Sequence, residues 1–125
     1  AIALNDNWTK FRKPVLDSIT QSRVRKEDYR YTGWSLEDIE NYIVYAKKES
    51  KELGYNMTGL RVYLGVYGDK LKPNDNGLTT MFIVPTGHKV TSKANIVNFT
   101  VQGGGDPNIP APPLNRGGSG SGNYP

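Results

Sequence analysis

The sequence predicts an α+β fold, and three observations carry that expectation. A capped run with helical periodicity over residues 35–53 is followed from Leu60 by strict two-residue alternation, and from Gly103 the chain is too poor in large apolar side chains to extend either pattern. The chain has 125 residues, the size of one domain, so a single α+β domain over residues 1–102 and a flexible Pro/Gly-rich tail over 103–125 are expected.

The first element is an amphipathic helix. Trp8, Phe11, Val15 and Ile19 recur at helical spacing with Leu16 beside them, and Asn5, Asp6 or Asn7 can cap its start. Pro14 removes a backbone donor and disfavours helical geometry at Lys13, so a kink or split is expected there. Residues 20–33, rich in charge and with Tyr29 and Tyr31, read as a polar connection of some extended character that Gly33 ends.

The long helix has the clearest local signals. Ser35 followed by Asp38 is an acidic variant of the capping box, Glu37 suits the positive end of the helix dipole, and Trp34 with Ile39 form a hydrophobic staple. Leu36, Ile39, Tyr42, Ile43, Ala46 and Leu53 fall largely on one face, and Gly54 supplies a left-handed stop.

After it, Leu60, Val62, Leu64 and Val66 alternate with Arg61, Tyr63, Gly65 and Tyr67, as in a strand with its aliphatic face buried. The cluster Asn74-Asp75-Asn76-Gly77 turns the chain, and residues 78–84 return as the second strand of a hairpin, 60–67 with 78–84. Pro85, Thr86 and Gly87 are expected to break that strand, and residues 96–101 form a third. Such a small antiparallel sheet has open edges, which makes a homo-oligomer or a protein or peptide partner plausible. Within the tail, Pro107 to Pro113 can run extended over the surface with Ile109 and Leu114 docked.

The stretch from Trp34 through Gly59-Leu-Arg-Val-Tyr-Leu-Gly65 to Thr86 resembles a group of short, uncharacterised bacterial proteins, chiefly from Bacteroidetes. Their pattern is a capped helix, a Gly-x-Arg-[Ile/Val]-Tyr-x-Gly strand, a Thr/Val-rich strand and a Pro-rich ending. The resemblance implies a bacterial source and supports the helix-hairpin unit; it implies no function. Members often end in a Cys-Pro-Pro-type segment, where this chain has Pro112-Pro113 and no cysteine.

Composition excludes several classes of chemistry. With no cysteine there is no disulfide, thiolate zinc site or cysteine nucleophile. No apolar run reaches the length of a membrane span, so no membrane partner is expected, and a soluble, cytoplasmic location is favoured unless a signal has been removed ahead of Ala1. The net charge is +4, but residues 1–53 carry ten Lys/Arg against nine Asp/Glu and residues 54–125 six against three, an excess too thin and scattered to favour nucleic acid.

No catalytic residue, metal site or cofactor is marked by a motif. Asp69, Asn74, Asp75 and Asn76 offer oxygens in one loop but without EF-hand spacing or its closing Glu. Gly103-Gly104-Gly105 and Gly117-Gly118-Ser119-Gly120 lack the strand-to-helix context of a phosphate loop and read as linkers. Asn56-Met57-Thr58 and Asn98-Phe99-Thr100 match the glycosylation acceptor pattern, for which chance is the default in a bacterial protein. The strand face bearing Arg61, Tyr63 and Tyr67 is aromatic and cationic, able to stack on a sugar, a base or a peptide, or to be covered by the chain's own tail. The candidate binding residues are therefore Arg61, Tyr63, Tyr67 and His88.

Three functions stay open. The leading one is a non-catalytic binding or protein-interaction module using the Tyr/Arg strand face, so the chain is read as leaning away from an enzyme. A small hydrolase or transferase centred on His88 requires a hydroxyl or carboxylate partner for the imidazole. Single-stranded nucleic-acid binding requires Arg23, Arg25, Lys26 and Arg30 to converge with the strand tyrosines.

Overall fold

The computed structural model describes residues 1–70, 72–90, 105–115 and 117–122. It is α+β: helices α1 (Ile2–Phe11), α2 (Lys13–Val24) and α3 (Leu36–Glu52) accompany the short strand β1 (Tyr31–Gly33), the long hairpin strands β2 (Tyr55–Val66) and β3 (Thr79–Lys89), and β4 (Gly118–Gly120). Among the described residues no helix is long and apolar enough to cross a membrane. The third strand expected at 96–101 lies outside the described residues.

The chain divides into two compact units, with the hairpin running through both. The first comprises Ala1–Gly33, Leu64–Met81 and the described residues of Gly117–Pro125. Its helices separate at Arg12, one residue before α2 begins, with Pro14 in the first turn of α2, where a missing N–H costs nothing. The expected split is therefore present. Helix α2 stops at Arg25, whose φ of 57° is left-handed, and the buried Thr20 hydroxyl donates to the Lys26 carbonyl at 2.8 Å. The buried Asp28 carboxylate then receives the Thr79 amide and hydroxyl, each at 2.6 Å, fixing the start of β3. Strand β1 pairs antiparallel with β4 in the register Tyr31↔Gly120.

The second unit comprises Trp34–Tyr63 and Phe82–Arg116, Arg116 itself not being described. Its helix begins as the capping signal requires, with Ser35 Oγ accepting the Asp38 amide at 3.0 Å, and it yields to Gly54 at φ 82°. Tyr42 and Ala46 meet Ile83 in the core, with Trp34, Ile39, Met57 and Leu114 packed around them. The inward face is narrower than expected, because Leu36 and Leu53 at the helix ends are exposed.

Two expectations about the hairpin are corrected. The aliphatic face of β2 is the open one: Val62 is 57% and Val66 65% exposed, and Leu60 and Leu64 are exposed too, whereas Tyr67 is 9% exposed. Cover comes to the opposite face instead, from residues 106–108 in the second unit and from Lys72 over Tyr67 in the first. Pro85 and Gly87 also fail to end β3. The Pro85 carbonyl and the Gly87 amide point to the outer edge of the strand, away from β2, so the donor that proline lacks is not one the hairpin ladder uses.

That outer edge is where the Pro-rich segment lies. Ile83 and Leu114 exchange both backbone hydrogen bonds at 2.9 Å, the Ile109 amide donates to the Pro85 carbonyl at 2.9 Å, and the Gly87 amide donates to the Pro107 carbonyl at 3.0 Å. Residues 105–115 fall in the stretch expected to be mobile, yet Ile109 is 2% exposed and Ala111 is buried. Proline pre-sets the extended backbone, which lowers the entropy cost of seating it, and the docking expected of Ile109 and Leu114 is what secures it.

Candidate functional site

Within the second unit, β2 presents Thr58, Arg61 and Tyr63 toward the seated segment, and Asp106 and Asn108 of that segment answer them. Arg61 Nη1 donates to Asn108 Oδ1 at 2.7 Å, and its Nη2 donates to the Asp106 carbonyl at 2.7 Å. The guanidinium fork is thus spread over one side chain and one backbone group, a geometry that lysine cannot reproduce. Asn108 Nδ2 donates to the Tyr63 hydroxyl at 2.8 Å, so both ends of one amide are read by neighbouring strand residues.

The Tyr63 ring is held by stacking on Phe82, centroids 5.5 Å apart and planes 17° from parallel. Donation from the Asn108 amide, then from the Arg61 guanidinium, holds the Tyr63 phenol below its ordinary 10.0 by favouring the phenolate. The Asp106 carboxylate accepts the Thr58 hydroxyl, and the same oxygen lies 3.7 Å from His88 Nδ1 near the end of β3. Close approach of the backbones has its own requirement: a Cβ on Gly87 would lie 2.0 Å from the Asn56 carbonyl oxygen and 2.9 Å from Ile109 Cδ1.

Three of the four expected site residues, Arg61, Tyr63 and His88, therefore gather around Asp106 and Asn108. Tyr67 does not join them. It belongs to the first unit, is buried, and has Lys72 Nζ 4.9 Å above its ring. Sequence reasoning missed Asp106 and Asn108, which it placed in a tail valued only for Ile109 and Leu114. It met Thr58 only as part of a glycosylation pattern. The signal available was chemical: two Asx side chains around Pro107 in an extended stretch, able to meet an Arg/Tyr strand.

Nucleophile activation needs an imidazole on the hydroxyl, with a carboxylate behind the imidazole. Here the carboxylate of Asp106 sits on the Thr58 hydroxyl. Among the described residues no group of three or more His, Cys, Asp or Glu is arranged to hold a metal. The hairpin-loop carboxylate Asp75, in the first unit, is committed to Lys26 at 2.7 Å and to the Tyr29 hydroxyl at 3.1 Å. Lys26 is accordingly engaged, as is Arg30 by Asn5 and Thr9, so two of the four cations required for a nucleic-acid surface serve the first unit's own structure. No protein-family model, curated protein or solved structure matches the chain.

Proposed function

We propose that the chain is a non-catalytic interaction module whose second unit receives an extended segment of the Asp-Pro-Asn-Ile-Pro kind at the outer edge of β3 and on the Arg61/Tyr63 face. Its own residues 106–114 hold that place in the structure. The partner is a protein or peptide supplying such a segment, or a second copy supplying the same one. The observation that carries the reading is the reading of one amide at both ends, Arg61 on Asn108 Oδ1 and Asn108 Nδ2 on Tyr63, beside main-chain pairing to β3. Strand addition gives affinity through the backbone and specificity through a few side-chain contacts, and both are present here.

The test is a fluorescence-anisotropy titration of a labelled peptide of residues 105–115 into the full chain carrying D106A and N108A, which loosens the chain's own segment. Saturable binding that drops when R61A is added supports the proposal. Absence of binding to the loosened chain, with its fold intact by circular dichroism, rejects it.

A further inference from the structure

We propose that a second site, a shallow, open depression of about 360 Å³ beside α3, binds a pyranose ring. It is lined by Asp38, Asn41, Tyr42, Tyr45 and Leu114, all within the second unit. The helix accounts for the grouping, since positions 38, 41, 42 and 45 are spaced three and four residues apart and share one face. Tyr42 forms the floor; it is buried, and its hydroxyl is spent on the Pro112 carbonyl at 3.0 Å and the Ile83 carbonyl at 3.3 Å. Tyr45 is 41% exposed, its ring tilted 43° to that of Tyr42 with centroids 6.4 Å apart, so part of its ring is open to solvent. Asp38 and Asn41 provide polar groups further toward the helix start, and Leu114 the opposing apolar wall.

An open depression with an aromatic ring toward one end and a carboxylate and an amide toward the other suits a ligand with one C–H face and several hydroxyls. Tyr45 and Leu114 meet the C–H face, the Asp38 carboxylate accepts hydroxyl protons, and the Asn41 amide both donates and accepts. A quaternary ammonium is the competing ligand. It would make no use of the Asn41 amide, and it would find one exposed ring where an aromatic cage needs several. The site is completed by Leu114 of the seated segment, whose Pro112 carbonyl also holds Tyr42, so it rests on that segment keeping its place but not on a partner supplying it.

The test uses the full chain labelled with nitrogen-15, titrated with methyl glucoside, methyl galactoside and methyl mannoside, and separately with tetramethylammonium. At least one glycoside is expected to shift the amides of Asp38, Asn41, Tyr45 and Leu114 saturably, with millimolar affinity, the range for so small a ligand. Y45A should weaken that binding about tenfold, and N41A should weaken it as well, while G68A, in the first unit, leaves it unchanged. Asn41 is exposed, so N41A keeps the test valid if Y45A fails to fold. The proposal is overturned by no saturable shift with any glycoside, by wild-type affinity in folded N41A and Y45A, or by saturation with tetramethylammonium alone.

Discussion

Arg61 and Asn108, 47 positions apart in the chain, are joined by a hydrogen bond of 2.7 Å from Nη1 to Oδ1, and that bond ties β2 to the Pro-rich segment. A double-mutant cycle on R61A and N108A, measured by urea unfolding, should give a coupling of about 1 kcal/mol, the size of a partly exposed hydrogen bond to a charged donor. Additive losses would mean that the two side chains do not act on each other in solution.

Gly87 sits where β3, β2 and the segment approach closely. Ala at this position would drive its methyl group into the Asn56 carbonyl and the Ile109 side chain, so G87A should cost about 2 to 3 kcal/mol in urea unfolding, at the upper end of overpacking effects. Gly68 has nothing within 4 Å of its would-be Cβ, and G68A should stay within about 0.5 kcal/mol of the parent.

The first unit should weaken at both pH extremes. The Lys26 ammonium, helped by the Tyr29 hydroxyl, holds Asp75 below its ordinary 3.8; at Asp17 burial pushes the value up, but the Lys13 ammonium and the Asp28 amide together hold it below 3.8. A carboxyl with a lowered folded value contributes stability that is present above its unfolded value and is lost as pH falls through the folded one, here below 3.8. Burial, then its hydrogen bond to Asp75, raises Tyr29 above its ordinary 10.0, so its contribution is present below 10.0 and lost above it as pH rises through the folded value. Thermal melts across pH should show both losses, and D75N should flatten the acid side.

Tyr63 should ionise ahead of its ordinary 10.0 because the Asn108 amide and the Arg61 guanidinium both favour its phenolate. The difference in absorbance titration between the parent and Y63F isolates that phenol, and N108A should move it back up. An unchanged midpoint in N108A would show that Asn108 does not reach Tyr63.

Where the causes are local, the sequence was readable. Ser35 and Asp38 are three residues apart and form the cap they spell, and Pro14 breaks the N-terminal helix within two residues of itself. The alternation in β2 was equally legible, but not which face would be covered. Both faces carry large groups, aliphatic on one side and aromatic or cationic on the other, and the choice between them depends on where distant chain comes to lie. That same distant chain carries Asp106, Asn108 and the carbonyls that let β3 continue past Pro85, so half of the site and the strand's true end were hidden together. Strands β1 and β4 are three residues each, one of them only Gly and Ser, and their pairing has no periodic signature.

Amide hydrogen exchange at Ile109 and Leu114 in the unmodified chain tests the central claim most directly, because their N–H groups bond to the Pro85 and Ile83 carbonyls. With the segment seated on the edge of β3, both amides should exchange at least about a hundredfold more slowly than in a free peptide of residues 105–115. Exchange at the free-peptide rate would mean that the edge of β3 does not hold the segment, and the proposed mode of recognition would go with it.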